Sequence, residues 1–131
     1  MLRFWMVPIA VAALAACHSG PSVETFAPAR GPKGIEADLR VAREQILGEL
    51  LEVQDSALLV RRGAQLLLVP LRVIKSGSFD KRGVLISGGR ADPSVLEELR
   101  LVSRFPAGLT PDLRARLLAA YGQTEIERVG P

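Results

Sequence analysis

Leu66-Leu67-Leu68-Val69 is the stretch that most restricts the folds open to this chain. Successive side chains of a strand point to opposite faces, so four large aliphatic residues in a row need apolar cover on both sides. A sheet with one wet face cannot provide it. Pro70 follows, and without an amide donor it belongs at a sheet edge or a bulge. The apolar runs "ADLRVAR", "QILGELLEVQ" and "SALLVRR" lie upstream of "AQLLLVPLRVI", and "GVLIS" lies downstream. Asp55-Ser56 and Arg62-Gly63-Ala64 suit tight turns between them. Runs joined by two or three residues make antiparallel hairpins, because a parallel crossover takes a dozen residues or more. Leu39 and Val41 share one face of the first run, although a short helix over 35–45 is a competing reading.

The second half supplies the missing cover. Asp92 followed by Pro93 marks a helix start, a capping side chain and then a residue whose missing amide costs nothing there. Val95, Leu96, Leu99 and Val102 form its apolar stripe. Glu97, Glu98, Arg100 and Arg104 are expected on the wet side, with Glu97 and Arg100 one turn apart. Pro106 and Gly108 interrupt the pattern. Thr110-Pro111 starts a second helix with Leu113, Leu117, Ala120 and Tyr121 inward, and Gly122 stops it. "TEIERV" can add a last short strand. The expected fold is α+β: a small antiparallel β-barrel or meander sheet of about five strands, followed by two amphipathic C-terminal helices, over residues 35–131.

The other end of the chain reads as an address. Arg3 precedes the uncharged stretch Phe4–Ala16, 13 residues, or about 20 Å of helix. A bilayer core takes about 20 residues, so the segment is too short to span. A charged start, a short apolar run and a small-residue end have the shape of a secretory signal peptide, here residues 1–16. Leu14-Ala15-Ala16-Cys17 resembles the bacterial lipobox. That resemblance implies recognition of Leu14, Ala15 and Ala16 by the lipoprotein signal peptidase and cleavage before Cys17. It further implies a diacylglyceryl thioether on the Cys17 thiol. Two or three acyl chains hold a protein on a membrane without any spanning segment. In such signals an aspartate after the cysteine favours the inner membrane; His18 stands there, which points to the outer membrane. Residues 17–34 hold Gly20, Pro21, Pro28, Gly31, Pro32 and Gly34 without apolar period and read as a flexible linker.

Composition then narrows the chemistry. Cys17 and His18 are the chain's one cysteine and one histidine. With the thiol lipidated and the imidazole beside it, no Cys–His pair, Ser-His-Asp triad or zinc site can form in the folded part. Neither a cofactor nor a metal is expected, and the chain does not read as an enzyme. The net charge of +3 arises from 17 scattered basic and 14 acidic residues, so the basic balance does not call for nucleic acid.

"ILGELLEVQDSALLVRRGAQLLLVPLRVIKSG" resembles the bent hairpins of small Sm-like β-barrels, through Gly48, Leu50, Val53, Asp55, Ser56, Pro70 and Ile74. The resemblance implies a small barrel in which a glycine in mid-strand lets the sheet bend. The loop motifs with which Sm proteins bind RNA are absent. The second half is similar to bacterial lipoproteins without an assigned activity.

Few residues offer a site. "KSGSFDKRG" and "SGGRADP" carry Lys75, Lys81, Arg82, Ser87 and Arg90 among glycines and serines. Lys75 and Arg90 are the candidate anion contacts, the more so if Gly88-Gly89 leads into the helix at Pro93; turn chemistry alone also accounts for the glycines. Glu49, Glu52 and Asp55 diverge on a strand and are expected in water. So are Arg61 and Arg62 at a hairpin tip, with anionic headgroups as an alternative contact. The reading is a lipid-anchored envelope protein facing the periplasm, non-enzymatic, acting as an interaction or assembly module. Its expected partners are the membrane, through the lipid, and an envelope protein. A small-ligand or anion-binding protein, or an enzyme using these turns and arginines, is the alternative.

Overall fold

The computed structural model describes residues 34–130. Seven strands form one sheet: β1 (Glu36–Val41), β2 (Glu44–Val53), β3 (Ala57–Arg62), β4 (Gln65–Pro70), β5 (Ile74–Phe79), β6 (Gly83–Ser87) and β7 (Glu127–Arg128). Their order is β6-β5-β1-β2-β3-β4-β7. Every pairing is antiparallel except that of β7 with β4. Two helices, α1 (Pro93–Val102) and α2 (Pro111–Ala120), lie between β6 and β7 in the chain.

The α+β class and the two late helices agree with the sequence reading, whereas strand number and closure do not. The sheet has seven strands instead of about five, and it is open instead of a closed barrel. Pro70 explains one extra strand: it ends β4, and Leu71–Val73 form a single 3-10 turn that separates β4 from β5. Closure is replaced by edge strands. The free side of β4 pairs with β7 and that of β5 with β6. Residues 36–41 form a strand, not a helix, and Ala37, Leu39 and Val41 all point inward. The turn to β2 is Ala42-Arg43, with Ala42 at φ +55°.

Two cores lie on opposite sides of the middle strands. The larger joins Leu39, Ile46, Leu50, Val60, Leu67, Val69, Ile74 and Ile86 with Leu99 of α1. Residues of β4 and β6, near opposite ends of the strand order, meet in it, so the sheet curls around this core. The smaller contains Leu51, Leu59, Leu66, Phe105, Leu113 and Leu117, which puts α2 on the convex side. Leu66 and Leu67 thus enter different cores, as a strand covered on both faces requires. Both are at most 1% exposed.

β2 is where the sheet bends. Its pairing with β3 skips Leu51, a bulge that leaves Leu51 and Glu52 both toward α2 while Leu50 and Val53 face the larger core. Gly48 lies just before it. A Cβ there would meet the Arg61 carbonyl oxygen and Val60 Cγ1, each at 2.6 Å. The glycine is needed for close approach of β3.

The helix starts differ. Thr110 caps α2 through its side chain, Oγ1 accepting from the Leu113 amide at 3.2 Å. Asp92 makes no side-chain cap, contrary to expectation. Its backbone carbonyl accepts from Val95 and Leu96 instead.

Candidate functional site

The charged residues sort into an inner set on β2 and an outer rim. In the inner set, Glu49 Oε1 accepts from Arg104 Nε at 2.7 Å and Oε2 from Arg61 Nη2 at 3.2 Å. The Gly34 amide also points at Oε1, at 3.4 Å. Arg104 is 1% exposed. It is carried there because the chain after α1 docks along β2, the Arg104 and Phe105 amides donating to the Leu50 and Leu51 carbonyls at 3.0 and 2.8 Å. Glu52, 5% exposed, accepts from the Leu109 amide and from Gln54 Nε2, and Arg114 Nη2 lies 4.0 Å away.

Several expectations are corrected here. Glu49 and Glu52 were expected in water and are instead largely buried, because the segment 103–110 covers the convex face of β2. Arg104 falls one turn after Arg100 on the wet stripe, but the helix ends at Val102 and the stripe no longer applies. Arg61 and Arg62 are half-buried and paired, with Glu49 and Glu44 respectively. These carboxylates hold the domain's own loops and cations. Glu49 and Arg61 line a hollow beside Gly34 and Glu36, and Arg61 Nε is buried there without a hydrogen-bond partner among the described residues.

The rim gathers around the start of β5. Arg40 pairs in register with Ser76, and Val41 with Ile74, so Lys75 bulges between them. Arg43 sits in the turn just beyond Val41. The Gly88 and Gly89 amides donate to the Lys75 and Ile74 carbonyls at 3.0 and 2.8 Å, which brings Arg90 to the same place. Arg72 closes the group: a Cβ on Gly89 would lie 3.1 Å from its Cα. Arg40, Arg43, Arg72, Lys75 and Arg90 are all exposed. None forms an ion pair or a side-chain hydrogen bond among the described residues.

Lys75 and Arg90, the two sequence candidates, therefore share one backbone neighbourhood. Ser87 and Arg90 line a shallow hollow with Leu71, Leu85, Asp55 and Asp92, of which Lys75 is not a part. The amides of Gly88, Gly89 and Arg90 are committed to carbonyls of the turn, so the contacts available to an anion are the side chains. Arg40, Arg43 and Arg72 were not legible as site residues: they come from two separate segments and share no motif. Leu14, Ala15, Ala16 and Cys17 lie outside the described residues. Among the described residues no group of three or more His, Cys, Asp or Glu could hold a metal ion, and no helix is long and apolar enough to cross a membrane.

Fold and site together define a small α+β domain with a curled, mostly antiparallel sheet, buried charge pairs on one strand and a free cationic rim. Comparison with family models, with curated proteins and with solved structures finds no match for this chain.

Proposed function

We propose that this protein is a lipid-anchored lipoprotein of the bacterial envelope, working as a non-enzymatic interaction or assembly module. The observation that carries the reading is Leu14-Ala15-Ala16-Cys17, whose first three residues close the 13-residue uncharged stretch Phe4–Ala16 behind a basic start. The acyl chains on Cys17 would hold the domain at the membrane, on its periplasmic side and at the outer membrane by virtue of His18. The domain's charges support the non-enzymatic part. Glu49 and Glu52 engage backbone amides and cations of their own fold, which is a structural use of carboxylates. The Sm-like likeness of the β2–β5 segment is proposed as a likeness of hairpin design only.

Replacing Cys17 with Ser tests the reading. The wild-type chain is expected in the membrane fraction with a lipid-sized mass increase at its new amino terminus. The variant should move to the soluble fraction or accumulate unprocessed. A variant that is processed and membrane-bound like the wild type would falsify the anchor.

A further inference from the structure

We infer that the rim of Arg40, Arg43, Arg72, Lys75 and Arg90 is a docking surface for the phosphates of anionic lipid headgroups. Most other cations of the described domain have a partner: Arg61, Arg62, Arg82, Arg100, Arg104 and Arg114 all lie within ion-pair distance of a carboxylate. The rim departs from that pattern, with five exposed cations brought together by three chain segments. Glu44, the acid at the start of β2 beside Arg43, is already engaged by Arg62. Asp92 alone stands exposed and unpaired two residues from Arg90. Cations so placed keep their full field for a charged surface.

At the opposite end of β1 the charges are mixed, with Glu49 paired to Arg61 and Arg104. Glu36, Glu49 and Asp80 surround a hollow there with Gly34. β1 is six residues long, so about 20 Å separates the ends. An anionic surface would attract the rim, where the cations are unpaired, more than the Gly34 end, where acids and cations are mixed. The seventeen links from Cys17 to Gly34 can extend up to about 55–60 Å, ample for a domain seated rim-down. That orientation rests on the lipid-anchor reading, while headgroup affinity does not. A lipid surface is favoured over nucleic acid because the rim has no stacking platform. Phe79 and Phe105 are buried in the cores, and Tyr121 follows α2.

Both cores and the seven strands of the described residues lie within 34–130, so a chain starting at residue 17 with Cys17→Ser keeps every element of the described domain. Its sedimentation with vesicles tests headgroup affinity without any lipid anchor. Binding is expected to vesicles of phosphatidylcholine with one-third phosphatidylglycerol, not to phosphatidylcholine alone, and to fade as salt shortens the Debye length. Each rim cation removed should weaken binding about fivefold, so R40Q/R43Q/K75Q should lose on the order of a hundredfold. K81Q/R128Q, which removes unpaired cations off the rim, should lose far less. Unchanged thermal melting of both variants shows that the fold is intact. Equal binding by the rim variant and the wild type overturns the proposal. So does tighter binding to a single-stranded oligonucleotide, or full displacement by millimolar inorganic phosphate at constant ionic strength. Failure of the anchor reading is seen separately, as a wild-type amino terminus without the lipid-sized mass increase, and would remove the orientation alone.

Discussion

Arg104 and Arg40 carry the same side chain in opposite circumstances. The first is buried against Glu49; the second stands exposed near a strand end, between Gln45 and Ser76 and with no carboxylate paired to it. A buried guanidinium costs several kcal/mol of lost hydration, offset only while its carboxylate partner is present. A solvated one costs almost nothing, and its charge remains free to act on something outside the protein. Arginines of the first kind hold the loop 103–110 and α2 onto β2. Those of the second kind are the surface on which a function can rest.

The comparison is broken most sharply at Glu49. Glu49→Ala removes the carboxylate that the buried Arg104 and the half-buried Arg61 share, and the expected loss is about 3–5 kcal/mol, read as a lower urea midpoint at unchanged slope. Replacing both members, Glu49→Leu with Arg104→Met, should recover part of that loss, since the fully buried charge goes with its partner while the half-buried Arg61 stays without Glu49. A double variant as unstable as the single one would mean that Arg104 acts through packing and not through charge.

The two helix starts give a smaller contrast. Thr110→Ala removes a side-chain cap and should cost about 1 kcal/mol. Asp92→Ala removes no such bond and should stay within about 0.5 kcal/mol of the wild type. Equal losses in thermal unfolding would show that Asp92 caps α1 in solution. Smallest of all is the rim itself. Arg40→Gln should shift stability by less than about 0.5 kcal/mol while weakening vesicle binding, the separation of fold from surface that Glu49 does not allow.

Much of the architecture could be read along the chain. The strands follow from short apolar runs, the two-sided cover of β4 from the unbroken Leu66–Val69, and the break at its end from Pro70. The first hairpin turn was hidden because Ala42 occupies a positive φ without glycine, asparagine or aspartate to announce it. The bulge at Leu51 was hidden as well. It moves Glu52 to the same side as Leu51, so a strict alternation count misplaces every later residue of β2.

The lipobox-like pattern Leu14-Ala15-Ala16-Cys17 and the alternation of apolar residues are local properties, set by side chains a few positions apart, and the sequence by itself determined them. Which charges lie buried in pairs and which stand free is not local. Glu49 and Arg104 are 55 residues apart, and the rim is drawn from a hairpin turn, a 3-10 turn, a bulge and the end of an edge strand. Only the tertiary structure decided those neighbours, because the energy of a charge depends on the water and partners around it and not on its place in the chain.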